Sequence, residues 1–288
     1  MTIAKILAPV TGSDADAVVL ATAFAMAKPF HAHVEVLFIH PDPREAVPVT
    51  NMPMSPIVVQ ELVDAAEVLR KAAAQAAKAS LADAAEKASV RIVKSPVRSE
   101  AVTASYREVS GHFPQRIADA SRLADLVVFP PMTRADSREL HDGFVQVLTK
   151  SKRAVLLCGK TAPEAIGTKV AIGWDGGAAA EHALVVAVPI LQRAGAVELL
   201  AVYRMAAGEA RVNDAKEYLG LQGIKTSEVF VEHTPKPIGE TLLEVAMNDG
   251  CDLLVVGGYG HSQLRETFFG GVTADLASQA KLPILMVH

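Results

Sequence analysis

Two cysteines, one tryptophan and an aromatic content of 5% are little for a chain of 288 residues. Cys158 and Cys251 each sit on or beside an apolar run, so buried reduced thiols are expected rather than a disulfide framework or a metal set. His31, His33 and His40 lack structural-zinc spacing, and no cysteine joins them. No charge sign dominates: 28 Lys and Arg stand against 32 Asp and Glu, mixed along the chain, for a net charge of −4. That leaves no basic footprint for nucleic acid or anionic lipid. No apolar run approaches the roughly 18 residues that cross a bilayer. The N-terminus, MTIAKILAPVTGS, lacks the charged start, long apolar centre and cleavage site of a secretory signal, so a cytoplasmic location is expected. The G-x-x-x-x-G-K-[ST] phosphate loop is missing. Gly258-Tyr259-Gly260 opens the dinucleotide fingerprint, but Gln263 stands where its third glycine belongs, and the stretch precedes the last strand instead of following the first.

What the chain has is a core and a repeat. Half of its residues are apolar. Short apolar runs recur in pairs: Lys5-Ile-Leu-Ala with Lys169-Val-Ala-Ile, and Val34-Glu-Val-Leu-Phe-Ile-His with Val197-Glu-Leu-Leu-Ala-Val-Tyr. Ala124-Asp-Leu-Val-Val-Phe-Pro pairs with Cys251-Asp-Leu-Leu-Val-Val-Gly, and Ala154-Val-Leu-Leu with Pro283-Ile-Leu-Met. Runs apolar throughout are expected of parallel strands covered on both faces. Helical stretches such as Ala15 to Lys28 and Ala178 to Ala194 lie between them. The pattern predicts two tandem α/β domains, each a doubly wound parallel sheet, at residues 1–162 and 166–288. The joint falls in the polar stretch Lys160 to Gly167.

The last stretch, Cys251 to His288, carries the chemistry. The run Leu253 to Val256 breaks at Gly257-Gly258-Tyr259-Gly260. Gly270-Gly271 opens a helix-like segment, Val272 to Ala280, and Leu282 to Val287 closes the chain. Glycine has no Cβ to bar close approach, and free amides at a helix N-terminus point at an anion.

The spacing Gly257-x-x-Gly260-x9-Gly270 resembles the ATP-binding signature of the universal stress protein family, and the flanking Asp252-Leu-Leu-Val-Val and Leu282-Pro-Ile-Leu-Met-Val are similar to it too. Gly271 departs from the signature, which has Ser or Thr there. The resemblance implies an adenine and ribose pocket from Gly173, Trp174, Asp175 and Val202. The phosphates would lie by Val256, Gly257, Gly260, His261, Gly270, Gly271, Val272 and Thr273. The implied ligand is ATP, or ADP or AMP, with Mg2+ as a candidate counter-ion. The residues alone leave Asp175 open to a second reading, the N-cap of the helix at Ala178. The family commonly pairs single domains through a strand. A tandem chain would form that pair internally, with homodimerisation a further option.

The first copy lacks the loop. Pro130-Pro131-Met132-Thr133 stands where the glycines would be, and proline offers no N–H. Gly143 keeps the place of Gly270, but Phe144 follows it, a bulky side chain where the anion would sit. Thr11 or Gly12 stands where Asp175 would. The copy is also longer: a Pro-rich stretch, Pro41 to Pro56, leads to an alanine-rich helix over Ile57 to Ala88, read as a helix on its own domain or as a lid or partner-binding helix. Ser95 to His112 is expected to be a surface loop. The expected function is a stress-response sensor or regulator with one nucleotide site, not an enzyme. A scaffold without nucleotide and a slow ATPase built on His261, Ser262 or Asp175 are the alternatives.

Overall fold

The computed structural model describes residues 2–41, 54–132, 138–201, 206–231, 236–258 and 281–288, with backbone alone for 206–210. The first half runs β1 (Lys5–Val10), α1 (Ala15–Ala27), β2 (His33–His40), α2 (Pro56–Ala88), β3 (Arg91–Ile92), β4 (Thr103–Ser110), α3 (Phe113–Ser121), β5 (Leu126–Phe129), α4 (Arg138–Thr149) and β6 (Ala154–Leu157). The second runs β7 (Lys169–Trp174), α5 (Ala178–Leu191), β8 (Ala196–Ala201), α6 (Ala206–Leu221), β9 (Thr226–Phe230), α7 (Ile238–Asn248), β10 (Leu253–Gly257) and β11 (Ile284–Val287).

The eleven strands of the described residues form one sheet, in the order β3-β4-β2-β1-β5-β6-β11-β10-β7-β8-β9. Within each half the described pairings are parallel and, apart from β3 as an extra edge strand in the first half, the order is the same, doubly wound about the first strand. The halves meet where β6 and β11 pair antiparallel, Ile284 with Leu157 and Met286 with Val155. Side chains alternate between two buried layers. Ile6, Ala8 and Val10 of β1 share one with Val170 and Ile172 of β7, while Leu7 and Ala171 share the other. Both layers cross from one half to the other, so the core is continuous.

The repeat holds in its polar bonds as well. Lys5 pairs with Glu35 at 2.8 Å, and Lys169 with Glu198 at 2.7 Å. Asp125, just before β5, accepts the amides of Ala4 and Lys5 at 2.8 and 2.9 Å. Asp252, just before β10, accepts those of Gly167 and Thr168 at 2.9 Å each. Each carboxylate thus ties the start of the central strand to its neighbour, satisfying amides that would otherwise lie unpaired at a strand end.

Two expectations need correction. Ser95 to His112 is not a loop: residues 103–110 form β4, paired in register with the whole of β2. The strand was hidden because only Thr103, Ala104 and Ser105 are buried, while its second half turns charged side chains outward. Its mate β9 is partly exposed throughout for the same reason. Phe144 does not occupy an anion hollow. It is wholly buried inside α4, edge-on to Phe129 at 5.7 Å, and a Cβ on Gly143 would meet Phe113 at 2.6 Å. The cysteines are buried and unpaired, flanking strands rather than within them. No helix among the described residues is long and apolar enough to cross a membrane.

The alanine-rich helix is α2, with 33 residues and a length near 50 Å at about 1.5 Å per residue. Ser55 caps it, accepting the Val58 amide at 3.3 Å, and Pro56 takes its first position. Ala74, Ala77, Leu81, Ala84 and Ala85 are buried, and small side chains let α2 lie close on α1. The N-terminal part stays exposed, with Ile57 at 72% and Leu69 at 71%.

Candidate functional site

In the second half β7 leaves toward β8 on one side and has β10 on the other. The crevice beyond the carboxyl ends of β7 and β10 is therefore the topological switch point, where open α/β sheets take ligands. The structure brings Gly173, Trp174, Asp175, Val256 and Gly257 to these strand ends. Val202, Gly260, His261, Gly270, Gly271, Val272 and Thr273 lie outside the described residues.

Asp175 is exposed where β7 ends. Its Oδ1 accepts the Gly177 amide at 2.8 Å, an Asx turn that fixes the carboxylate at the mouth of the crevice. The N-cap of α5 is Gly177, so Asp175 stands two residues before the capping position. The turn is also held from above. Arg211 of α6 donates from Nη1 to the Gly176 carbonyl, and Gly176 has φ +70° with Arg211 Cδ over the place of a Cβ. Arg211 was missed in the sequence, because α6 shows little amphipathic pattern to mark which residue faces the loop.

Gly173 lies buried between neighbours: a Cβ there would sit 3.1 Å from Val256 and 3.2 Å from Leu242. Trp174 packs in the layer under α5 and α6 at 5% exposure, and its Nε1 has no hydrogen-bond partner among the described residues. Beside it a hollow of about 230 Å³ is lined by Leu184, Arg211, Asp214 and Tyr218. Gly257 has a structural task. A Cβ on it would meet the backbone of Ala179 and Ala180 at 2.5 to 2.7 Å, so its bare backbone brings the first turn of α5 against β10. That contact sets the helix N-terminus beside the crevice. The next residue, Gly258, donates to the Val287 carbonyl at 2.7 Å and lies against Leu148 of the first half. The rim of the site is thus partly built by the other half.

The matching corner of the first half is closed. Asp16, buried in α1, accepts the amides of Thr11 at 2.9 Å and Gly12 at 2.8 Å. Burial pushes its carboxyl up, and those amide bonds pull the other way. The α2 backbone lies directly on Gly12, with the Ala73 carbonyl 2.3 Å from the place of a Cβ. Pro130 and Pro131 end β5, and Met132 behind them is buried. Of the loose histidine group, His33 is buried with its ring nitrogens 2.8 Å from the Thr103 and Ser105 hydroxyls, and His40 meets Glu108 and Arg70. Among the described residues no cluster of three or more His, Cys, Asp or Glu forms a metal site.

Residues 168–288 match the model of the universal stress protein family. Universal stress protein MJ0577 of Methanocaldococcus jannaschii is 26% identical over 77 residues, 27% of this chain and 46% of that protein, so the match spans less than half the relative's length. A universal stress protein from Archaeoglobus fulgidus superposes on 98% of this chain and 95% of its own, with a TM-score of 0.66 at 17% identity. A protein of unknown function from Pseudomonas aeruginosa, PA1789, covers 99% of this chain and 92% of its own, with a TM-score of 0.57 at 14% identity. At identities this low the superpositions establish a common fold across both halves, and the fold alone.

Proposed function

We propose that the second half of the chain, where residues 168–288 match the universal stress protein family, binds an adenine nucleotide and acts as a nucleotide-responsive regulator rather than an enzyme. One observation carries the reading: Asp175 is held in an Asx turn, carboxylate outward, at the switch point between β7 and β10. A carboxylate so placed accepts hydrogen bonds from a ribose. Gly173, Trp174 and Val256 wall the base side. The phosphates would lie toward Gly257, Gly260, Gly270, Gly271 and Val272, with the Thr273 hydroxyl and His261 beside them. A divalent cation would be held chiefly by the phosphates and water. Phosphoryl transfer needs a positioned base or water-orienting group. His261 and Ser262 have no third partner in the sequence to make one.

Titration calorimetry of nucleotide-free full-length protein tests this. ATP, ADP or AMP gives saturable heat at one site per chain. Asp175→Ala weakens binding about tenfold, the value of one charge-assisted hydrogen bond. Gly260→Val or Gly270→Val removes the heat. No response of the wild type to any of the three nucleotides overturns the proposal in favour of a scaffold. Steady phosphate release that vanishes in His261→Ala overturns the non-enzymatic part.

A further inference from the structure

The closed corner of the first half is not solid. Under α2 lies a cavity of about 570 Å³ at the carboxyl ends of β1, β2 and β5. Its walls are mostly apolar: Val10, Phe38 and Ile39 from the strands, Leu69 and Ala73 from α2, Leu140 from α4. Close-packed interiors leave few voids larger than a water molecule, and this volume falls within the roughly 300–1,000 Å³ of small-molecule sites. The prolines at 130 and 131 also line it, and proline has no N–H to offer a phosphate.

One strong polar group enters from the roof. Arg70 lines the cavity, and its Nε is buried without a hydrogen-bond partner among the described residues. Nη1 lies 3.0 Å from His40 Nδ1, and the contact of Nη2 with Glu67 is long, at 3.4 Å. Glu67 is shared with Lys71 at 3.1 Å. Glu108, the other nearby carboxylate, is committed to Lys78 at 2.7 Å and His40 at 2.6 Å. Glu139 stands on the cavity wall with its side chain 54% exposed, facing His112. Thr11 and Ser13 hydroxyls bond each other at 2.8 Å. Arg70 is therefore a guanidinium with spare donor capacity over an apolar hollow, and a bidentate carboxylate is its natural complement.

We propose that this cavity is a second ligand site, for an amphipathic organic acid: an acyl or aromatic body between the strand ends and α2, with one carboxylate on Arg70. Leu69 lines the cavity and is still 71% exposed, so an apolar body there would cover it. The site is independent of the nucleotide reading, since none of its residues belongs to the second half.

Octanoate and 1-octanol share a body and differ in charge. Both are titrated into the full-length protein, in competition with 1-anilinonaphthalene-8-sulfonate fluorescence. One octanoate binds per chain, at least tenfold tighter than the alcohol. Arg70→Met keeps the length and helix preference of the side chain and brings the two to equal affinity. Ala66→Trp, which puts an indole in the cavity, abolishes both; its fold is checked by circular dichroism, and if it misfolds Arg70→Met alone decides. Absence of saturable octanoate binding overturns the proposal. So does an unchanged preference for octanoate in Arg70→Met, or binding that survives in folded Ala66→Trp. ATP titration of the same variants reports separately on the second half.

Discussion

The loop after β1 and the loop after β7 solve one problem in opposite ways. Both must turn the chain from a central strand into a helix. In the first half the turn is tied from within: Asp16 of α1 takes the amides of Thr11 and Gly12, and α2 then lies on Gly12. In the second, Asp175 takes one amide of its own turn, and Arg211 holds the outer carbonyl. The carboxylate that closes the first corner is buried; the one that shapes the second belongs to an exposed residue at the strand end. The lesson is that two copies of one fold can tie the same turn with a carboxylate from different places, from inside the helix in one copy and from the strand end in the other.

The largest expected effect comes from adding a methyl group at each turn. Gly12 and Gly176 both have positive φ, +81° and +70°. Alanine there costs about 1–2 kcal/mol from the backbone alone. At Gly12 the new Cβ also meets the Ala73 carbonyl at 2.3 Å, and a helix backbone cannot step aside cheaply; at Gly176 it meets Arg211 Cδ at 2.5 Å, which swings away. Gly12→Ala is expected to cost about 3 kcal/mol or more with overpacking included, and Gly176→Ala about half that. Urea unfolding measures both. Equal costs would show that α2 does not press on the first corner.

A middle-sized effect tests the symmetric ties. Asp252→Ala strips the amides of Gly167, Thr168 and Lys169, and Asp125→Ala those of Ala4 and Lys5. Each is expected to cost about 2 kcal/mol, with Asp252 the larger, because hydrogen bonds to a charged acceptor carry about 1.5–3 kcal/mol. A negligible loss at either site in urea unfolding would break the equivalence of the halves.

The outer strands give a smaller, pH-dependent contrast. Glu108 on β4 is held below the ordinary glutamate value, first by the Lys78 hydrogen bond and further by that of His40, while partial burial opposes. Its folded value therefore lies under the unfolded 4.5, and the unfolded chain binds the proton first as pH falls. The stabilisation is complete above that value and disappears as pH falls through the folded one. The stability difference between wild type and Glu108→Gln should shrink below pH ~4.5. The Lys–Glu pair on β9, Glu228 with Lys216 at 3.2 Å, is a surface pair, and Glu228→Gln should change stability by less than about 1 kcal/mol. A Glu108 difference that stays constant down to pH ~3 would place the two pairs in one class.

These contrasts also show what the sequence makes readable. The strands β1, β2, β7 and β8 carry paired apolar runs with Lys and Glu at fixed places, because both faces are covered and one ion pair recurs. β4 and β9 are not readable that way, since at the flanks of the sheet Arg107, Glu108 and Glu228 face outward. Asp175 stands out by its place after a strand. The task of Gly257 does not, because the atoms it admits belong to Ala179 and Ala180, far along the chain. The cavity under α2 is equally hidden: Arg70 reaches it only because a helix inserted between β2 and β4 folds back over the end of β1.

The finest test asks whether the two halves are separable at all. Cys158 follows β6 and Cys251 precedes β10, and burial pushes each thiol up to about 12. Glu198, at 3.5 Å, adds to the shift of Cys251. A thiol with that value is about one part in ten thousand thiolate at pH 8, so neither should react with iodoacetamide in the native protein. Labelling should begin only as structure opens, and mass spectrometry of the labelled peptides resolves the two sites along a urea series. β6 and β11 share one antiparallel pair, and both buried layers run through it. Opening one half therefore exposes apolar surface of the other, and a common midpoint for Cys158 and Cys251 is expected. Two separated midpoints would mean that the joint is weaker than either corner, and that the open and closed halves can fold without each other.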